Sequence, residues 1–373
     1  MYYSTDERVP KIDYRLTKRA TLASVEALDD LRWLFANLGI DPRYREWFQH
    51  RAWVRTIHGT TRIEGNSLND LEVEELLERL PSTRQKDALE VLATRNALSF
   101  VDELAPDPKL RIDERVIREI HKRVLDDIDP VLRPGEYRTG ENRVGDAEGK
   151  ILFATALSSD VPDLMHRFGG WLREDASDEH PVVAAALAHL ELVAIHPFYD
   201  GNGRTARALS RMLLVHHGFA LDGLVSVDAY LDLQRRDYFA AIRVSLGKSY
   251  ARGYDATAFV TYFLGAIVGA AEYVLSRVKG VTELLRLLRD EVARGRLLPQ
   301  LTDPLVFAWI NGSLRPGDYR SITGRTGPSA TRDLSIAVKA GYLTPTGETS
   351  SRRYLTGPKL RAVQPMPVTP RIS

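Results

Sequence analysis

The feature that most constrains the fold is a pair of helices joined by a short glycine-rich turn in the second half of the chain. The first helix is predicted to end at Ile195, because Pro197 disfavours the helical conformation in the residue before it. Its apolar residues recur at the spacing of one helical stripe, at Val183, Leu187, Leu190 and Ala194. The turn Gly201-Asn202-Gly203 follows, and a second helix is predicted from about Arg204 to about His217, with Gly218 as its C-cap. With similar periodicity elsewhere, this predicts a mainly α fold.

The residues around this turn form a set that suits phosphoryl or nucleotidyl transfer. A glycine-rich turn at a helix N-terminus presents free N–H groups and the positive end of the helix dipole to an anion. Arg204 and Arg207 share one helical face and can donate bidentate hydrogen bonds to phosphate oxygens. Asp200 can bind Mg²⁺, which prefers carboxylate together with phosphate oxygens. His196 titrates near neutral pH and can accept a proton from an attacking hydroxyl.

Two other interpretations of this turn have less support. Gly201, Gly203 and Ala206 match the dinucleotide-binding fingerprint, with Asp222 about 20 residues further on. That fingerprint needs a strand before the turn, whereas the preceding segment has helical periodicity. The segment could also be a solvent-exposed basic helix that follows a His-Pro pair by chance. That interpretation does not account for a dozen specialised residues in a row.

The segment His196–Arg207 matches, without departure, the signature His-Pro-Phe-x-Asp/Glu-Gly-Asn-Gly-Arg-x-x-Arg of the Fic family. The resemblance covers roughly residues 55–265. The related Doc proteins replace the Gly-Asn-Gly-Arg portion, which points to the AMP-transferring branch. The resemblance implies a Fic-type helical core with a small β-hairpin flap. It also implies a Mg²⁺-dependent enzyme that moves AMP from ATP to a Ser, Thr or Tyr hydroxyl of a target protein.

The resemblance assigns a role to each residue that matches the signature. It implies His196 as the base, Asp200 as the ligand of a Mg²⁺ bridging the α- and β-phosphates, Gly201, Asn202 and Gly203 as the anion hole, Arg204 on the phosphates and Arg207 on the γ-phosphate. Phe198 would pack inward and hold the loop. Tyr238 lies where the family places an aromatic residue near the nucleotide base, although a half-buried helix residue is an equal alternative.

A stretch with four glycines, Gly135–Phe153, resembles the flap that positions the target protein in this family. It follows the segment Arg133–Arg138, which is typical of the fold. An exposed strand edge can bind an extended target segment by strand addition, which fixes the main-chain register and reads few side chains. The identity of the target therefore does not follow from this stretch. A purely structural hairpin is the alternative.

The segment Thr60–Asn66 resembles the inhibitory motif of the family, Ser/Thr-x-x-x-Glu-Gly/Asn. Gly65 and Asn66 would end a helix, which places Glu64 at its C-terminal end, where an anion is unfavourable. The family supplies a compensating cation, which here is Arg207. We expect this pair to occupy the γ-phosphate position and to inhibit the enzyme. Alternatively, Glu64 positions water for the reverse reaction, removal of AMP, or acts as an ordinary surface ion pair.

The basic region after Thr302 resembles a winged helix-turn-helix. Its helices would be Leu305–Ile310, Asp318–Thr323 and Pro328–Ala340, followed by a wing at Thr344–Tyr354 that carries Arg352 and Arg353. From Asn311 to Arg361, nine basic and three acidic residues give a charge of +6. This charge fits contact with DNA phosphates, although such modules also bind proteins. A DNA-binding regulator whose core senses nucleotide is therefore an alternative function, as is transfer of UMP or phosphocholine.

Five parts of the chain follow from these patterns. We expect an N-terminal helical region (1–107), a Fic core (108–270), a helical connector (271–301), the winged helix (302–361) and a tail (362–373).

Composition narrows the class of protein further. The chain has no cysteine, which excludes disulfides and thiolate metal sites and suits a cytoplasmic protein. The net charge of +1 gives no overall attraction to nucleic acid or membranes. The apolar stretch Ala256–Ala271 is shorter than the roughly 20 residues of a membrane span, so we expect a buried helix. A homodimer is an expectation from the family alone.

Overall fold

The computed structural model describes residues 12–79, 85–145, 151–348 and 352–363. They form a mainly α protein, as the sequence predicts. The helices are α1 (Lys18–Ala36), α2 (Pro42–Ile63), α3 (Asp70–Arg79), α4 (Lys86–Leu104), α5 (Glu114–Val124), α6 (Val161–Glu174), α7 (Pro181–Ile195), α8 (Asn202–His216), α9 (Val227–Leu233), α10 (Arg235–Leu246), α11 (Thr257–Ala293), α12 (Thr302–Asn311), α13 (Pro316–Thr323), α14 (Gly327–Lys339) and α15 (Pro358–Arg361).

Short strands form three small sheets among the described residues. Strands β1 and β4 are parallel, β2 and β3 are antiparallel, and β5, β7 and β6 form an antiparallel sheet in that order. The strands are β1 (Tyr14–Arg15), β2 (Arg143–Gly145), β3 (Ile151–Ala154), β4 (Tyr254–Asp255), β5 (Ser313–Leu314), β6 (Leu343–Thr346) and β7 (Arg353–Thr356).

The chain divides into two compact units along lines that differ from the predicted parts. One unit contains the described residues up to Asn37 together with Trp53–Val268. The other contains Leu38–Ala52 together with the described residues from Gly269 onward. The break predicted near residue 107 is a loop between α4 and α5, and both helices belong to the first unit.

The core of the first unit is built around α7, which is apolar on all sides. From Val182 to Ile195, only Val193 is not buried. A helix that is hydrophobic all round is a buried helix, and its many alanines let neighbouring helices approach closely. Helix α8 packs against α7. The loop between these two helices is therefore fixed at both ends by the core.

Helix α11 crosses the predicted boundary between the core and the connector. It continues for 37 residues because no proline interrupts the segment Thr257–Ala293. Among the described residues, it is the one helix long and apolar enough to cross a membrane by length and composition. More than half of its most apolar window is buried, as in a core helix of a globular protein. Phe259, Phe263 and Leu264 belong to this buried face.

The predicted flap is shorter than expected. The antiparallel pair begins at Arg143, not at Gly135, and Val144 pairs with Phe153. Gly135 instead has a φ of 81°, and a Cβ there would lie 3.2 Å from the backbone oxygen of Arg118 in α5. This glycine allows the chain to pass close to α5, so it belongs to a packed turn. Residues 146–150, at the tip of the predicted flap, lie outside the described residues.

Helices and strands after residue 302 follow the predicted order. Helices α12, α13 and α14 begin up to three residues before the predicted positions. The expected wing corresponds to β6 and β7, and residues 349–351 between them lie outside the described residues. Most of the predicted tail, 364–373, also lies outside them.

Candidate active site

The loop between α7 and α8 begins with a residue in a strained backbone conformation. His196 caps α7 with φ 54° and ψ 57°, in the left-handed region that non-glycine residues seldom adopt. Its Nδ1 contacts the backbone oxygen of Val193 at 3.4 Å. Arg138 donates from Nε to the backbone oxygen of His196 at 2.8 Å. These contacts hold a geometry that the chain would not adopt by itself.

The imidazole of His196 is neutral at physiological pH. Burial, with a smaller contribution from the charge of Arg138, lowers the pKa of His196 to about 4. A neutral ring has one N–H, and the contact with Val193 assigns it to Nδ1. Nε2 is then an unprotonated acceptor. The side chain is therefore in the state that a general base needs.

Arg138 joins the loop to the base of the flap. Its side chain is almost completely buried, and it donates to the backbone oxygens of His196, Gly140 and Ala156. It also donates to Thr155 Oγ1, just after β3. Burial lowers the pKa of this guanidinium. Arg138 is thus a positioning residue, which the sequence analysis placed only within a segment typical of the fold.

The middle of the loop is held by a histidine from α5. Phe198 is fully buried and stacks on the ring of His121, with centroids 3.6 Å apart. His121 Nε2 contacts the backbone oxygen of Asp200 at 3.0 Å, and its Nδ1 accepts from the N–H of Gly135. Burial lowers the pKa of His121 to about 4, so this ring is also neutral. The inward packing of Phe198 agrees with the expectation from the resemblance.

The turn itself is closed by Asn202. Its side chain accepts from the N–H of Phe198 at 3.0 Å and donates to the oxygen of the same residue at 2.9 Å. Gly201 has a φ of 73°, and a Cβ there would contact side chains of α5. Helix α8 begins at Asn202, two residues before the predicted start. The amide of Asn202 is therefore engaged in shaping the loop, while its backbone N–H lies at the helix N-terminus.

The strongest sign of an anion site is Arg204. Arg204 is only 4% exposed, yet its Nε and Nη1 atoms have no hydrogen-bond partner within the described residues. Nη2 lies 3.6 Å from Asp200 Oδ2. Buried charged groups are normally paired. A buried guanidinium with two unpaired nitrogens beside the N-terminus of α8 indicates a site built for an anionic ligand.

Asp200 is the carboxylate next to this arginine. Its side chain is about half exposed, and Oδ1 accepts from the N–H of Gly201 at 2.6 Å. One carboxylate at the mouth of an anion site is the arrangement in which Mg²⁺ binds through phosphate oxygens and water. The donor set therefore fits Mg²⁺ held jointly with a phosphate ligand.

Arg207 is bound to the end of α2. It donates from Nη2 to Glu64 Oε1 at 2.6 Å and to the backbone oxygen of Thr60 at 3.0 Å, and from Nε to Thr60 Oγ1 at 2.7 Å. A Cβ at Gly203 would collide with Glu64 Oε1. The carboxylate thus lies directly against the first turn of α8. Glu64 follows the last residue of α2, and Gly65, with φ 98°, ends the helix.

A second carboxylate lies behind Arg207. Asp228 Oδ1 is 3.6 Å from Arg207 Nε, and the residue is 7% exposed. Burial opposes the charge on Arg207, but Glu64 and Asp228 outweigh it and raise its pKa. Burial raises the pKa of Asp228, and Arg207 opposes that shift. Asp228 was missed in the sequence analysis, because nothing nearby in sequence links it to the signature.

Tyr238, on α10, lies in the protein interior. It is 1% exposed, and its hydroxyl contacts His189 Nε2 at 2.8 Å. His189 contacts Ser210 with its other ring nitrogen. Burial raises the pKa of Tyr238, and Arg207 opposes this shift through its charge and a side-chain hydrogen bond, so Tyr238 is a buried neighbour of Arg207. A contact of Tyr238 with the nucleotide base stays a prediction.

These observations describe a mainly α protein with a buried, partly unpaired arginine at a helix N-terminus, beside a neutral histidine. Residues 111–214 match the model of the Fic/DOC family. The matched segment spans α5, α6, α7 and most of α8.

Similar proteins carry the same family name. A protein adenylyltransferase Fic from Culex quinquefasciatus is 35% identical over 206 residues, which cover 54% of this chain and 37% of the relative. One from Drosophila ananassae is 37% identical over 172 residues, covering 45% of this chain and 33% of the relative. The chain thus spans about a third of the length of these relatives.

Solved structures show the same fold. A Fic family protein from Desulfovibrio desulfuricans superimposes with a TM-score of 0.59 at 22% identity, covering 94% of this chain and 99% of that protein. Fic-1 from C. elegans superimposes with a TM-score of 0.57 at 25% identity, covering 70% of this chain and 74% of that one.

Proposed function

We propose that this protein transfers AMP from ATP to a Ser, Thr or Tyr hydroxyl of a target protein. The observation that carries the proposal is the buried guanidinium of Arg204, with unpaired nitrogens beside the N-terminus of α8. This is a ready site for phosphate oxygens. The neutral imidazole of His196 begins the same loop. Relatives named protein adenylyltransferase support this choice among phosphate reactions.

In the proposed reaction, His196 Nε2 accepts the proton of the target hydroxyl. The hydroxyl oxygen attacks the α-phosphorus of ATP, and the bond from that phosphorus to the bridging oxygen of the β-phosphate breaks. Pyrophosphate leaves, and AMP remains on the target as a phosphodiester. Arg204 and the N–H groups of the turn stabilise the negative charge that develops on the phosphate oxygens. A target segment adds to the flap as an extended strand beside β2.

Mg²⁺ fits the proposal at Asp200. When bound, it would neutralise phosphate charge and orient the leaving pyrophosphate. Asp200 Oδ1 is oriented by the N–H of Gly201, and Arg204 is 3.6 Å from Oδ2. The protein would supply the half-exposed carboxylate of Asp200, and phosphate oxygens would complete the ligands of the Mg²⁺ ion.

We further propose that Glu64 inhibits this site by occupying the place of a phosphate. The supporting contacts are its ion pair with Arg207 and its position against Gly203. A carboxylate there satisfies the same positive groups that would bind the γ-phosphate. ATP then either binds in an unproductive pose or must displace the side chain.

The test uses ATP labelled at the α-phosphate or at the γ-phosphate, with purified Glu64→Gly protein and Mg²⁺. Label is read on the protein itself and on proteins of a cell extract. Transfer from α-labelled ATP but not from γ-labelled ATP is the expected result. Label from the γ-position alone would replace the proposal with phosphate transfer. Bound ATP without any label would overturn transfer and leave nucleotide sensing or AMP removal. Parallel reactions with UTP and CDP-choline test the choice of transferred group.

The pH dependence of the reaction follows from the environment of His196. The base must be neutral, and burial lowers its pKa to about 4, against an ordinary value near 6.5. Glu64 raises this pKa, so Glu64→Gly shifts it further down. We expect kcat/KM of the Glu64→Gly protein to stay level from pH 8 to about 5 and to fall only below that. An acid limb centred between pH 6 and 7 would mean that His196 is not the titrating base.

A further inference from the structure

The described residues from Thr302 onward form a module whose element order is helix, strand, helix, helix, strand, strand and a final short helix. Strand β5 pairs with β7, and β7 pairs with β6, so the last two strands form a hairpin at the edge of the sheet. Gly324, with φ 68°, makes the tight turn between α13 and α14. This order matches a helix-turn-helix followed by a wing, the arrangement in which the second helix of the pair enters the major groove of DNA.

The angle between α13 and α14 is fixed by a buried polar cluster. Tyr319 of α13 is fully buried and donates from its hydroxyl to Asp333 Oδ2 of α14 at 2.7 Å. Arg325, in the turn, lies 2.7 Å from the same oxygen. Asp333 is 1% exposed. This cluster holds α14 rigidly, and it also removes the helix's one acidic side chain from the surface.

The outer face of α14 is therefore polar and basic without an acid. Arg332, Ser335 and Lys339 are exposed and follow the helical spacing of one face. Ser329 and Thr331, in the first turns, are exposed beside them. The two other acids of the 311–361 segment do not lie on this helix, and Asp318 accepts a hydrogen bond from the N–H of Arg315. Two of the nine basic residues of the segment, Arg332 and Lys339, are thus displayed on one face of α14 without a neighbouring exposed acid on that helix.

The wing contributes less charge than the sequence suggests. Arg353 was expected on the wing surface, but it is 9% exposed and donates to Ser313 Oγ in β5. Successive side chains along a strand point to opposite faces, so Arg353 is buried whereas Arg352 is half-exposed. The exposed basic residues of the module are Arg332 and Lys339 on α14, Arg320 on α13, and Lys359 and Arg361 on α15.

We propose that this module binds double-stranded DNA, with α14 in the major groove. The N-terminal residues of a recognition helix contact base edges, and those of α14 are Ser329, Thr331 and Arg332. Arginine pairs well with guanine in this groove. Lys339, two turns further on, lies where a phosphate contact is expected. The exposed polar residues of this face carry hydroxyl and cationic groups, which suit base edges and phosphates.

The experiment measures binding of the full-length protein to a labelled random-sequence duplex by fluorescence anisotropy, as salt is raised from about 50 to 200 mM. The variants are Arg332→Ala with Lys339→Ala, and a control, Lys109→Ala with Arg111→Ala. The control removes two exposed basic residues from the loop before α5 and changes the net charge equally. We expect the first variant to bind roughly tenfold to a hundredfold more weakly, with a salt slope smaller by about 1 to 2. The control should bind like the wild type.

The outcomes separate DNA from other partners. Absence of salt-dependent DNA binding by the wild type would overturn the proposal and leave a protein partner for this face. Equal weakening in both double variants would also overturn it, because it would show attraction by overall charge. Circular dichroism and thermal unfolding confirm that the α14 variant is folded, since both replaced side chains are exposed. The active-site residues are intact in both variants, so their AMP transfer should be unchanged.

Discussion

Glu64→Gly is expected to raise the rate of AMP transfer about a hundredfold, which corresponds to ~2.7 kcal/mol at the transition state. In the structure, the Glu64 carboxylate accepts from Arg207 at 2.6 Å and lies against Gly203 in the first turn of α8. Its removal leaves Arg207 buried beside Asp228 and available to a γ-phosphate. Part of the gain is lost because the Glu64 side chain is about a third exposed and solvent weakens the pair.

The measurement is the initial rate of label incorporation at matched protein concentration. Glu64→Gln retains the shape of the side chain without its charge, so we expect an intermediate rate. Glu103→Gln removes one exposed glutamate from α4 and serves as the control for net charge. The inhibitory role would be contradicted if Glu64→Gly and the wild type incorporated label at the same rate, with ATP bound by both.

The loop between α7 and α8, with the first turn of α8, was the most predictable part of the site. His196, Asp200 and Arg204 lie within nine consecutive residues, so a single break between two helices brings them together. The pairing of Glu64 with Arg207 is also present in the structure, although the two residues are far apart in sequence. That expectation came from a second motif, not from periodicity.

Residues that act at a distance were not predictable. Asp228 lies at the start of α9, and its charge becomes relevant to Arg207 only after folding. The glycine at position 59 in α2 is a consequence of this packing, because a Cβ there would not fit against the backbone of Asp228. Such a close approach is visible in the structure but not in the spacing of residues. Tyr238 shows the same limit, because its buried partner His189 is on another helix.

The bounds of single helices were predictable where periodicity and turn residues agree. The division of the chain into compact units was less predictable, because it depends on tertiary packing. Periodicity and turn residues predicted the end of α7 at Ile195 and the bounds of α8, α12, α13 and α14 within three residues. The separation into parts was less accurate, because Leu38–Ala52 joins the second unit although it begins near the N-terminus. Helix α11 continues through the expected boundary at residue 270, since a change in composition does not end a helix that lacks proline.

His196→Asn in the Glu64→Gly protein is expected to lower AMP transfer about a thousandfold, within the usual range for loss of a general base. The neutral imidazole accepts the proton through Nε2, and an amide cannot. Asparagine tolerates the left-handed backbone of this position, where φ is 54°. We therefore expect the loop, the buried Phe198 and the anion site at Arg204 to be retained. ATP binding, measured by calorimetry, should change little.

Comparison with His196→Ala separates loss of the base from loss of the fold. Alanine at this left-handed position is strained by roughly 1–2 kcal/mol, so His196→Ala should unfold at a lower temperature than His196→Asn. Both variants should be equally inactive, because neither has a base. If His196→Asn kept a tenth or more of the rate, the proton would be leaving by another route, and the base assignment would fail. If activity followed unfolding temperature instead, His196 would be a structural cap of α7, and the reaction would depend on its backbone conformation alone.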